Sequence, residues 1–98
     1  MNIESLGIIE TSSISGYLKV ADLFSKIIEI KLLGNNFLGG GNVVVFIQGT
    51  LGAIQNALID AEKILTDSNC FVVSHSIPMP HKDLLLKFKI GARSWKIL

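Results

Sequence analysis

The spacing of apolar residues along the chain switches repeatedly between the period of a strand and that of a helix. Leu6, Ile8 and Ile9 form a short apolar run that stops at Glu10-Thr11-Ser12-Ser13, a cluster suited to closing a strand and capping a helix. From Ser15 the period lengthens. Tyr17, Val20, Ala21, Phe24, Ile27 and Ile28 recur at three and four, with Lys19, Asp22, Lys26 and Glu29 on the other side, which predicts an amphipathic helix. Ile30, Leu32 and Leu33 then run into Gly34-Asn35-Asn36, a turn signal, so a second strand is expected from near Glu29 to that point. After Phe37-Leu38-Gly39-Gly40-Gly41, the stretch Asn42 to Gln48 is β-branched and aromatic at its centre and predicts a strand covered on both faces. Gly49-Thr50-Leu51-Gly52 can turn the chain and cap a second helix, whose apolar side carries Ile54, Ala57, Leu58, Ala61, Ile64 and Leu65. Phe71 to Ile77 reads as a fourth strand, stopped by Pro78 and Pro80.

The predicted order is therefore β-α-β-β-α-β, an α+β class. Two such halves commonly build a four-stranded antiparallel sheet with two helices on one face, the split βαβ or ferredoxin-like arrangement. The tail from Lys82 to Leu98 fits either a strand, through Leu86, Phe88 and Ile90, or a short helix, through Leu84, Leu85 and Phe88.

Composition adds a constraint that the pattern does not carry. The 98 residues suffice for one domain, yet they are 49% hydrophobic and only 17% charged, and mean hydropathy is +0.52. A domain this small has too much surface for its volume to hide all of that apolar material in one copy, which points to self-association. No apolar run approaches the roughly 20 residues that cross a bilayer, so no membrane role is expected. Met1-Asn2-Ile3-Glu4 offers no basic head or apolar signal core, and a cytoplasmic location is expected. Cys70 is the single cysteine, excluding an internal disulfide and suiting a small buried apolar side chain. A net charge of +1 argues against nucleic acid as a partner.

Five segments, in order, resemble one family. They are Leu6-Gly7-Ile8-Ile9-Glu10-Thr11, Ala21-Asp22 with Lys26, Leu38-Gly39-Gly40-Gly41, Gly49 with Gly52-Ala53, and His75-Ser76-Ile77-Pro78-Met79-Pro80-His81. Together they are similar to the hexamer-forming shell proteins of bacterial microcompartments, in unbroken register from about Ser5 to His81. The resemblance implies the fold variant of that family over residues 1–81, followed by a tail over 82–98. It further implies a shell subunit without chemistry of its own, forming flat six-fold rings that tile edge to edge, each with a narrow central pore for small metabolites. The expected partners are further copies of the chain, other shell proteins and encapsulation peptides of cargo enzymes. No cofactor is implied. A ring closed by heterologous contacts would also supply the second burial surface that the composition requires.

By the same resemblance, Phe37, Leu38, Gly39, Gly40 and Gly41 line the pore, and Lys26, Glu29, Met79 and His81 lie at the hexamer edge. Backbones can converge on an axis only where side chains are absent, and glycine permits the dihedrals of such a turn. Read without the family, the glycines are an ordinary turn between strands. A P-loop does not fit, because Gly41 is followed by Asn42-Val43 rather than by Lys and Ser or Thr. Phe37 stands where many relatives carry a polar residue, so it either faces the pore mouth or packs between subunits. Met79 replaces an arginine and Glu29 an asparagine that are common in the family, which makes the ring a firmer expectation than the sheet. Neither His75 nor His81 has a third ligand or a nucleophile at useful spacing, so no metal or catalytic site is expected. The alternative function is a small-molecule-binding regulatory domain of ferredoxin-like shape, which would form dimers or trimers. An acylphosphatase-type hydrolase needs an arginine after the first strand, and the lone arginine is Arg93.

Overall fold

The computed structural model describes residues 4–78. Strands β1 (Glu4–Thr11), β2 (Ile30–Phe37), β3 (Val43–Thr50) and β4 (Phe71–Pro78) and helices α1 (Ile14–Ser25) and α2 (Leu51–Asp67) follow the predicted order. All pairings are antiparallel, and the strands lie in the order β2-β3-β1-β4. One face carries both helices. Ile9 of β1 and Val43, Val45 and Ile47 of β3 meet Val20 and Phe24 of α1 and Ile54, Ala57, Leu58, Ala61 and Leu65 of α2 in a single core. On the opposite face Phe46 lies between Ile8 and Gly34, and it and Leu6 are also buried, so β3 is covered on both sides as its composition predicts.

Both helix starts are capped by the residues that the pattern suggests. The Ser13 hydroxyl accepts from the Gly16 N–H at 3.0 Å, and the Thr50 hydroxyl accepts from the Ala53 N–H at 3.3 Å. α2 ends in a Schellman arrangement. Asn69 takes a left-handed φ of 55°, its N–H bonds the Thr66 carbonyl at 3.0 Å, and the Cys70 N–H bonds the Leu65 carbonyl at 2.8 Å. Cys70 is thereby folded back into the core, as a small apolar side chain.

Two boundaries differ from the sequence expectation. α1 stops at Ser25, so Ile27 and Ile28 are not helical. The Ser25 hydroxyl donates to the Asp22 carbonyl at 2.7 Å, and the chain then tightens through Lys26 N–H to Leu23 O and Ile27 N–H to Phe24 O, both 3.2 Å. Ile27 packs on the core, whereas Ile28 is 95% exposed. The second difference is larger. Gly34-Asn35-Asn36 is strand, and β2 runs on to Phe37. The β3 ladder satisfies this backbone, the register slips by one residue between Leu32 and Gly34, and the Asn35 amide donates to the Tyr17 hydroxyl at 2.6 Å. A glycine at such a slip marks a bulge rather than a turn.

Close approach of α1 to β1 depends on Gly16. A Cβ there would lie 2.5 Å from Thr11 Oγ1 and 2.6 Å from Cys70 Sγ. Gly16→Ala is therefore expected to lose about 1–3 kcal/mol to overpacking, although alanine favours a helix interior by about 1 kcal/mol. Urea denaturation checks this, and a midpoint at or above that of the parent would contradict it.

Candidate functional site

The antiparallel register sorts the candidate residues into two groups at opposite ends of the sheet. At one end, Phe37 faces Val43, Val43 faces Thr11, and Thr11 faces Phe71. At the other, Ile30 faces Gly49, Gly49 faces Ser5, and Ser5 faces Pro78. Each strand has 8 residues, which separates the two ends by about 24 Å.

The first end carries the glycine loop. Leu38 N–H bonds the Asn42 carbonyl at 2.7 Å, which closes the loop around a single 3-10 turn, Gly39–Gly41. Gly40 and Gly41 have φ of 77° and 89°, the left-handed region that side chains with a Cβ resist. A Cβ at Gly39 or Gly40 would meet nothing within 4 Å, so these positions project into open space. The loop is braced from behind by the Asn42 amide, which donates to Glu10 Oε2 at 2.9 Å. That contact gives Glu10 the strand-end hydrogen-bonding role its position suggests. Phe37 is 58% exposed, but its ring meets Tyr17 of α1 edge-on, with centroids 5.7 Å apart. The same tyrosine holds Asn35, so one side chain of α1 fixes the direction in which β2 delivers the loop.

The second end carries Lys26 and Glu29 in the connection from α1 to β2, with Ile28 between them. Lys26 Nζ pairs with Asp22 Oδ2 at 3.0 Å, both largely exposed. The backbone here lies tight on β3: a Cβ at Gly49 would be 2.7 Å from the Glu29 carbonyl oxygen. Met79 and His81 lie outside the described residues. His75 is exposed on the face away from the helices, opposite Ile8. Among the described residues there is no group of three His, Cys, Asp or Glu side chains that could hold a metal, and no helix is long and apolar enough to cross a membrane.

Residues 5–80 match the BMC domain. The chain belongs to the BMC domain family. The carboxysome shell protein CsoS1 of Prochlorococcus marinus is 35% identical over 83 residues, which is 82% of this chain and 79% of that protein. CsoS1C, a carboxysome shell protein of Hydrogenovibrio crunogenus, is 35% identical over 93 residues, or 92% and 89% of the two chains. Among solved structures, a microcompartment protein from Desulfitobacterium hafniense DCB matches with a TM-score of 0.77 at 24% identity. The match covers 90% of this BMC chain and 48%, about half, of that one, and it bears on the fold alone. The divalent ion tolerance protein CutA1 of Ehrlichia chaffeensis also matches, with a TM-score of 0.54 at 10% identity over 93% of this chain and 95% of its own. A divalent ion tolerance protein thus shares the fold, and function in a BMC domain must be argued from its sites.

Sequence reasoning missed Ile28 and Tyr17 as contributors to these two ends. Ile28 falls on the helical period set by Phe24 and is therefore absorbed into the helix. Tyr17 carries no signal of its role, because its partners Asn35 and Phe37 become neighbours only once β2 is extended past Gly34.

Two outcomes are expected in this BMC domain. Gly41→Val should cost about 1–3 kcal/mol through backbone strain alone, whereas Gly40→Asn should be nearly neutral, since asparagine tolerates the left-handed region. Equal urea midpoints for the two variants would contradict the loop geometry. Lys26→Ala should change stability by no more than about 0.5 kcal/mol, the range of an exposed i,i+4 pair, and the same denaturation series tests it.

Proposed function

We propose that this BMC domain protein is a non-catalytic wall subunit of a bacterial microcompartment, assembling into cyclic hexamers that tile into a facet. In this reading residues 1–81 form the shell domain and residues 82–98 an appended tail. The loop Phe37-Leu38-Gly39-Gly40-Gly41 stands at the six-fold axis and forms a narrow pore for small metabolites. Lys26, Glu29, Met79 and His81 stand at the rim, where rings meet.

The observation that carries this reading is the separation of the two groups by the length of the sheet. A subunit of a flat ring needs a small-residue tip that six copies can share at the axis, and a contact corner as far from that tip as the fold allows. Gly39–Gly41 and the Lys26–Glu29 connection satisfy both demands at opposite ends of the same strands. Backbone N–H groups of the glycine loop converging from six copies would form a weakly positive ring that favours small polar or anionic solutes and selects mainly by size. The exposed apolar residues Ile28, Phe37, Phe71, Val72, Val73 and Ile77 add a physical reason for a single copy to associate. Carboxysome shell proteins among the relatives support the wall role. Further copies, other shell proteins and encapsulation peptides of cargo enzymes are the partners this role implies.

Light scattering on the purified protein tests the reading. The expected mass is six times the 10.6 kDa chain, and a stable dimer or trimer would overturn it in favour of a ferredoxin-like regulatory domain. Lys26→Ala should keep that mass while electron micrographs lose extended sheets. Loss of the hexamer together with the sheet would remove Lys26 from the rim.

A further inference from the structure

We infer that residues 82–98 of each copy lie over the sheet face opposite the helices, with Phe88 close to Phe46, as a third layer made by the same chain. The inference concerns a single copy and holds whether or not copies form rings.

The register sorts the residues of that face. Glu4, Leu6, Ile8 and Glu10 alternate along β1, and Val44, Phe46 and Gln48 along β3, all on the side away from the helix-covered core. Both helices pack on the other side, yet Leu6 is 1%, Phe46 2% and Val44 9% exposed. Neighbours within a sheet stand beside a side chain and not above it, and the β2 residue opposite Phe46 is Gly34, which has no side chain. Burial this deep calls for a further layer on the sheet. Exposure also varies across the face. His75 and Ile77 of the outer strand β4 are exposed, so the layer lies over β1 and β3.

Three residues precede Glu4 and twenty follow Pro78. Pro78 ends β4 beside Ser5, two strand spacings, about 10 Å, from β3. The stretch 82–98 spans about 25 Å as a helix and more when extended, so it can cross the face in either form. Its apolar residues suit that place. Phe88 belongs to the apolar set whether the stretch is read as a strand, with Leu86 and Ile90, or as a helical turn, with Leu84 and Leu85. Charge fits as well: the stretch holds five of the nine Lys and Arg but one of the eight Asp and Glu, which leaves the body of the chain acidic. Glu4 and Glu10 stand at the two ends of the β1 row, with Lys31 beside Gln48 on the same face. Each carboxylate accepts one side-chain amide at 2.9 Å, from Gln48 and Asn42 respectively, and has capacity to accept a cation besides. A partner approaching this side of the molecule then meets the basic tail and not the sheet.

Photocross-linking tests the inference. p-Benzoylphenylalanine replaces Phe88 in the full chain, which is irradiated, run on a denaturing gel and digested. The expected product stays at the mass of one chain, 10.6 kDa, with residue 88 joined to Leu6, Ile8, Val44 or Phe46. Links to either helix, links between two chains, or no links at all would overturn the inference. Hydroxyl-radical labelling gives a second readout without the foreign residue. In the parent, Phe46 should be labelled as little as Phe24, which is 2% exposed beneath the helices, and far less than Phe71, which is 37% exposed. In a chain carrying Leu84→Asp, Leu86→Asp and Phe88→Asp, labelling of Phe46 should rise severalfold while that of Phe24 stays low. Equal labelling of Phe46 and Phe24 in that variant would contradict the proposed layer.

Discussion

Burial of Val43, Val45 and Ile47 of β3 beneath the two helices, with Phe46 buried on the other face, fixes the sheet against the helix layer, and the position of the described candidate residues follows from it. Because β3 pairs antiparallel with both β1 and β2, its first residue must lie beside the loop that ends β2, and its last beside the connection that begins it. The glycine loop and the Lys26–Glu29 corner cannot then be neighbours. A slip of one residue in β3 would put Val44 and Phe46 beneath the helices in place of Val43, Val45 and Ile47, so the register is held by the fit of side-chain volumes under the helix layer.

The same dominance of the ladder explains where the sequence could and could not be read. Element order, the Ser13 and Thr50 caps, the inward face of α2 and the burial of Cys70 were legible, because period and capping chemistry are local properties. Gly34-Asn35-Asn36 misled because turn propensity is also local, while the pairing that overrides it comes from residues 43–46 and from Tyr17. Ile28 misled for the converse reason: helical spacing continues on paper past Ser25, but the backbone has already tightened and released the chain.

Of the candidate sites, the glycine loop was the more readable. Three consecutive glycines declare an unusual backbone, and two of them do take positive φ. The proposed rim rests on family resemblance, since an exposed lysine at a helix end is ordinary by itself, and Met79 and His81 fall outside the described residues. What the structure adds is the distance between the groups, the length of an eight-residue strand. The surplus of apolar residues noted from composition is accordingly not scattered: much of it borders the outer strands and the two ends.

Placing the glycine loop at the axis and the Lys26–Glu29 corner at the rim makes the strands radial, and pulsed electron spin resonance on two singly labelled chains measures that orientation directly. One nitroxide replaces Gly39, where a side chain has open space, and the other replaces Ile28, with Cys70→Ala in both. Radial strands predict label-to-label distances between copies that are shorter at position 39 by roughly the 24 Å span of a strand. Distances at position 28 equal to or shorter than those at position 39 would contradict that orientation.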